Sequence, residues 1–169
     1  MDVFEAIHLR RSIRRFEKKP VPDELIQKVI AAGMAAPSAG NQQPWEFIVL
    51  SDERLLKQIP QINPHASMAQ TVPAAILVCA NVSRELHPGF WVIDCSAATE
   101  NMLLAAHASG LGAVWTGIYP VDERVAGFKR LLGLPQHIIP HSLIVLGYPA
   151  EHPSPQDRFK PERIHTNAW

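Results

Sequence analysis

Residues 90–109 carry almost no polar face. At helical spacing, Val92, Ala97, Asn101, Leu104 and Ala108 fall near one stripe, and Met102, Leu103, Ala105 and Ala106 spread the apolar surface to nearly every side. A helix that is apolar all round is stable only where other elements cover it on more than one side. The chain must therefore be built around this segment. Gly110 supplies its stop, in the left-handed position that glycine takes without strain. The stretch is no membrane span, because no apolar run in the chain approaches the ~20 residues a bilayer requires.

The flanking sequence provides the cover. A short helix is expected over 2–9, capped by Asp2 and lined by Val3, Phe4 and Ile7. A second runs from about Asp23 to Ala35 behind Pro22, with Leu25, Ile26, Val29 and Ile30 on one side. Strands are expected at Trp45 to Leu50, Ala74 to Ala80, Ala113 to Tyr119 and Ser142 to Gly147, with helices at 52–59 and 122–132. Alternating helices and strands imply a layered sheet with helices on both faces, and leave the strand directions open. The 15 prolines fall mostly between these segments and mark joints. The 169 residues suit one domain, 1–169, large enough to bury roughly 70% of its unfolded surface. The tail, 149–169, carries Phe159, Ile164 and Trp169, too much apolar surface for free coil; it should pack on something, a second subunit included.

Charge and chemistry narrow the function. Lys plus Arg and Asp plus Glu are both 16, so no net field draws the chain to nucleic acid or to an anionic membrane. The N-terminus lacks the basic-then-apolar pattern of a signal peptide, and a cytoplasmic protein is expected. Cys79 and Cys95 sit in apolar surroundings and read as buried thiols. The eight histidines form no ligand set; His137 and His141 are four apart, but Pro140 interrupts any helix between them. Asp94 and Glu100 lie on different faces of the apolar helix with no visible partner, and no Gly-x-Ser-x-Gly occurs. Acid, base, nucleophile and metal are all missing.

Three segments remain. Arg10-Arg11-Ser12-Ile13-Arg14-Arg15 is a local anion trap, since guanidinium groups grip phosphate with paired hydrogen bonds; it also reads as a solvated basic loop. Ala36 to Trp45 is dense in small residues and amides, and suits either a flat ligand or an ordinary helix-to-strand connection. Gly110, Gly112 and Gly117 follow a helix and enter a strand, the reverse of the dinucleotide fingerprint. Gly117 within a strand suggests close approach of a ligand or backbone.

In combination these segments resemble the FMN-dependent nitroreductases. Arg10 to Phe16 looks like the family's Arg-x-Ser-x-(Arg/Lys)-x-Phe signature. Pro37-Ser38-Ala39-Gly40-Asn41-Gln42-Gln43-Pro44-Trp45-Glu46-Phe47 looks like its Pro-Ser-x-x-Asn-x-Gln-Pro-Trp-x-Phe segment. Gly110-Leu111-Gly112 with Trp115-Thr116-Gly117, and Gly147-Tyr148-Pro149 with Arg158, are similar to its central and closing parts. The resemblance implies an α+β fold, a three-layer α/β/α arrangement around a largely antiparallel four-stranded sheet, and a homodimer with FMN at the interface and strand or tail exchange with the partner. It implies that Arg10, Ser12 and Arg158, with Arg11 adjacent, hold the phosphate, and that Arg14 lies near flavin N1. It places Pro37, Ser38, Ala39, Asn41 and Gln43 of the partner subunit against the ring, Trp115, Thr116 and Gly117 on the other side, and His65 or Met68 at the pyrimidine edge. Two departures stand out: Gln156 occupies a position often held by Lys, and 81–89 is too short for the helices that cover the site in longer members. The implied activity is NAD(P)H-driven two-electron reduction of nitroaromatics, quinones or similar acceptors by a ping-pong mechanism. A flavin-binding protein without turnover, or a relative that uses FMN for dehalogenation or flavin breakdown, fits the same residues.

Overall fold

The computed structural model describes residues 1–169. Six helices alternate with four strands: α1 Val3–Leu9, α2 Asp23–Met34, β1 Trp45–Leu50, α3 Glu53–Leu56, α4 Ile59–Ile62, β2 Ala74–Asn81, α5 Trp91–Ala108, β3 Gly112–Gly117, α6 Asp122–Leu132 and β4 Ile138–Gly147. The sheet has the order β1-β2-β4-β3, and every neighbouring pair is antiparallel. The α+β, three-layer expectation therefore holds, and a parallel sheet is excluded.

Both faces of the sheet are covered, and the strand period of two divides the core. Ala74, Ile76, Val78 and Ala80 of β2, with Ile144 and Leu146 of β4, meet α2 and α5. Ala75, Leu77 and Cys79, with Leu143 and Val145, face a second layer that includes Leu56, Ile59 and Phe128. β2 thus reads as an unbroken apolar run because it is central and buried on both sides. Helix α5 buries Trp91, Cys95, Ala98, Met102 and Ala106, and approaches α2 closely at Gly33, where a Cβ would stand 2.7 Å from Met102 Cγ. Both cysteines are buried and unbridged. No helix is long and apolar enough to cross a membrane.

Three elements differ from expectation at their ends. The helix expected over 52–59 becomes two short helices, α3 and α4, the second with a proline in its first turn. β3 stops at Gly117, because the next two amides both donate to the His141 carbonyl. β4 starts at Ile138 rather than Ser142, and Pro140 is accommodated where the register shifts between Val78 and Cys79. A proline tolerated at a bulge hides the first half of a strand from sequence reading.

That bulge places His141 inside the fold. Its ring contacts Ser96 Oγ through Nε2 at 3.2 Å and Ser142 Oγ through Nδ1 at 3.1 Å, under Trp91 and Trp115. Burial holds its pKa down, to about 4. A base depressed in this way favours the neutral form in the native state, so stability is full above the unfolded pKa of ~6.5 and is lost as pH falls toward about 4. Within that window the loss should approach ~1.4 kcal/mol per pH unit. Replacing His141 by Gln should flatten this slope in urea melts taken between pH 7 and 4.5; an unchanged slope would show that other groups carry it.

Candidate functional site

The basic run leaves α1 and lies along the free edge of the sheet. The Ile13 N–H donates to the Ala113 carbonyl at 3.0 Å, and Ser12 forms a bridge with Ala113. Gly112 is needed beneath it, since a Cβ there would fall 2.8 Å from Ile13 Cγ2. Further along, the Glu17 and Ala150 amides donate to the Tyr148 and Arg15 carbonyls, which joins the run to the start of the tail. Glu151 then accepts from the Arg14 and Arg15 amides at 2.5 and 3.2 Å. The Arg14 amide is the main cause that holds the Glu151 carboxyl below its ordinary range. Sequence reading overlooked Glu151, a lone acid in an irregular tail.

These contacts bring three of the predicted arginines to one cavity. Arg10, Arg11 and Arg158 line a space of about 400 Å³ together with Glu100, Gln156 and Asp157. Arg11 spends Nε on the Ser154 carbonyl at 3.0 Å and Nη1 on the Arg10 carbonyl at 2.9 Å, yet its buried Nη2 has no partner. Arg10 Nε is also buried without a hydrogen bond, with Glu100 Oε1 3.5 Å away. Buried guanidinium nitrogens left unpaired are costly, and the oxygens of a phosphate would satisfy them. The donors present therefore fit an FMN phosphate. Ser12 and Arg14 do not line this cavity; they follow along the same extended segment, and Arg14 is exposed.

β3 supplies the next group. Trp115 is half-buried, its ring 5.8 Å from that of His141. Thr116 is turned inward, its hydroxyl donating to the Leu143 carbonyl at 3.2 Å, so only its backbone faces outward. Gly117 is exposed with open space where a Cβ would be, which leaves room for a flat ring. Its carbonyl is taken by Asn63 Nδ2 at 3.2 Å and Arg124 Nη1 at 2.9 Å. The Asn63 Oδ1 in turn accepts from the His65 amide, which ties the segment bearing His65 and Met68 to this end of β3.

The loop 37–43 lies elsewhere. It enters β1, at the opposite edge of the sheet from β3. Three strand spacings, on the order of 14 Å, separate the two edges. One chain thus does not gather Pro37, Ser38, Ala39, Asn41 and Gln43 with the arginines. The loop is preformed: Gly40, Asn41 and Gln43 have φ of 54°, 55° and 45°, and Ser38 Oγ accepts from the Gln43 amide at 3.0 Å. The acids of α5, unpartnered in the sequence reading, both serve these segments. Glu100 stands by Arg10, and Asp94 accepts from the Ala39 amide and the Gln42 side chain. Their partners are remote in sequence, so no local pattern announced them.

Known proteins resemble this chain along nearly its whole length. The model of the nitroreductase family matches residues 7–86 and 69–148. The chain is 53% identical over 169 residues to a Methanothermobacter thermautotrophicus protein provisionally named NADH dehydrogenase/NAD(P)H nitroreductase, covering 100% of this chain and 88% of the relative. A crystal structure of a Parabacteroides distasonis protein with the same provisional name superposes with a TM-score of 0.95 at 41% identity, over 98% of each chain. A Desulfovibrio desulfuricans protein provisionally named a nitroreductase, crystallised with FMN, superposes with a TM-score of 0.86 at 30% identity, over 100% of this chain and 98% of that one.

Gly117 offers a direct test of the ring site. Gly117→Val puts a good strand former into open space, so the melting temperature of the apoprotein should hold. FMN affinity, read by flavin fluorescence, should fall at least about tenfold, the loss of ~1.4 kcal/mol. Unchanged affinity would remove Gly117 from the site.

Proposed function

The chain belongs to the nitroreductase family, and from that premise we propose that it is an NAD(P)H-dependent FMN oxidoreductase that reduces nitroaromatics, quinones or similar small acceptors by a ping-pong mechanism. The observation that carries this reading is the cluster of Arg10, Arg11 and Arg158 around one cavity, with two buried guanidinium nitrogens that make no hydrogen bond. When bound, FMN supplies the redox chemistry, taking a hydride from the nicotinamide and passing two electrons to the acceptor.

The chain's own residues bind, orient and supply charge. Arg10, Arg11 and Arg158 hold the phosphate, and Gln156 brings an amide to the same cavity. Arg14, fixed at its backbone by Glu151 but free at its guanidinium, would place a positive charge by the flavin N1 and C2 carbonyl. The open face at Gly117 and the indole of Trp115 border the ring. On this reading the chain need supply no acid or base of its own.

The site is completed by a second copy of the chain. The two sets of flavin residues sit at opposite sheet edges, and a partner subunit's loop 37–43 would close each site. The surface agrees with this. Val3, Phe4 and Ile7 of α1, Ile93 of α5, and Phe159, Ile164 and Trp169 of the tail are all exposed, Trp169 completely. Apolar surface of this extent marks an interaction face. The unit is one domain, 1–169, with the tail 149–169 reaching across the dimer.

Four measurements test the reading. Stopped-flow mixing of the FMN-loaded protein with NADH or NADPH should bleach the flavin, and a bound flavin that neither reductant bleaches would leave only a carrier role. FMN should bind at least about tenfold more tightly than riboflavin, since charge-assisted contacts to phosphate contribute ~1.5–3 kcal/mol each. Arg14→Gln should retain FMN and lower its midpoint potential by ~30 mV for each ~1.4 kcal/mol of differential stabilisation. Arg10→Gln should weaken binding with the potential nearly unmoved; the reverse pattern would exchange the two roles. Deleting 155–169 should release FMN and the dimer together, and a monomer that keeps its FMN in sedimentation would sink the shared-site arrangement.

A further inference from the structure

Asp94 is a buried acid on α5 that the reaction does not use, and no cation faces it among the ion pairs of the fold. Both its oxygens accept hydrogen bonds: Oδ1 from the Ala39 amide at 2.9 Å, Oδ2 from Gln42 Nε2 at 2.7 Å. Gln42 is also buried, and its Oε1 accepts from the Leu86 and His87 amides at 2.8 and 3.1 Å. His87 then lies against the loop, since a Cβ on Gly40 would stand 2.5 Å from its Nε2. Two side chains thus join the central helix, the loop 37–43 and the connector between β2 and α5.

Geometry gives this linkage a task. Asn41 and Gln43 hold left-handed backbone angles without being glycine, a conformation that costs about 1 kcal/mol or more per residue and persists only where the surroundings impose it. The bonds to Asp94 fall at Ala39 and Gln42, on either side of Gly40 and Asn41. The connector they reach, 82–90, exposes Leu86 and Phe90.

We propose that Asp94 and Gln42 are positioning residues that preset the flavin-facing loop and couple it to the 86–90 connector. The proposal rests on the flavin reading of the loop. Neither residue touches the ring; both act through Ala39, Gly40 and Asn41. The chain of donors and acceptors has one polarity only. Gln42 can satisfy the two amides of 86 and 87 with its oxygen only by turning its NH2 toward Asp94.

That polarity supplies the experiment. Asp94→Asn turns a second NH2 toward that of Gln42, and Gln42→Glu sets a second carboxyl against Asp94. The double variant D94N/Q42E restores every bond, because the amide introduced at position 94 then donates to the carboxylate introduced at position 42, which still accepts from the amides of 86 and 87. FMN affinity is measured by flavin fluorescence, and amide hydrogen exchange of the apoprotein is followed at 39–43 and 86–90, with thermal melts as the control for folding. Each single variant should weaken FMN by about tenfold or more and speed exchange in both segments together, and the double variant should recover to within about threefold of the wild type. A folded single variant with wild-type affinity and exchange overturns the proposal, as does a double variant no better than Q42E alone; the latter comparison stands even where D94N does not fold. Faster exchange in only one segment overturns the coupling. If the wild type itself fails to bind FMN, the flavin reading falls, while the paired exchange of the two segments still tests the linkage.

Discussion

Helix α5 is the member from which the rest of the molecule is hung. Its apolar circumference obliges the sheet and α2 to cover it, and its few polar side chains are the attachment points of the site. Asp94 holds the loop before β1, Ser96 meets His141, and Glu100 stands by Arg10. Asn101 donates to the Ala32 carbonyl and pins α2. Polar groups on a buried helix are expensive unless each finds a partner, and here two of these partners, the loop 37–43 and Arg10, lie on segments that would bear the cofactor. The core helix and the site are one construction.

The strand order adds a second constraint. With β1 and β3 at opposite edges, one chain presents two half-sites facing away from each other. An antiparallel sheet of this size does not curl far enough to bring its edges together. In the proposed assembly, a second copy related by a two-fold axis would bring the loop of one chain to the arginines of the other, and would do so twice. The exposed apolar residues of α1, α5 and the tail are the cover such an assembly needs. On the reading proposed here, dimerisation and cofactor binding are one event, and the shared interface is where the chemistry takes place.

Much of this was legible in the residues. α5, β2 and α6 were readable because their signals are local: an all-round apolar helix ended by Gly110, an unbroken apolar strand, and a helix stopped at Gly133. The arginine cluster was legible as chemistry, and the resemblance gave its purpose. What escaped depends on contacts distant in sequence. β4 hid behind Pro140, because a proline is tolerated only where a bulge frees its missing donor, and the bulge is set by β2. Glu151 and Asp94 read as ordinary acids, because the amides they hold belong to segments over 50 residues away. Strand direction was equally illegible: alternation of helix and strand is compatible with either direction, and only the resemblance pointed to antiparallel pairing.

The features least favourable to the isolated chain lie on the separate segments that the proposed assembly would bring together. Arg11 buries Nη2 without a partner, and Arg10 buries Nε with no hydrogen bond and only a 3.5 Å ion pair to Glu100. Asn41 and Gln43 hold strained backbone angles. The tail exposes Trp169 and Phe159 to water. Such departures from local preference are where functional sites are to be sought. They also have one remedy. On the proposed reading, a phosphate would satisfy the guanidinium groups, a ring would seat on the strained loop, and a second subunit would cover the apolar tail. Anything that binds the native state alone stabilises it by mass action, so each of these partners strengthens the fold in occupying its place. On the proposed reading, cofactor, partner and native state are therefore linked. The stability to measure would then be that of the loaded dimer, and the free chain would hold its site ready at a cost that assembly offsets.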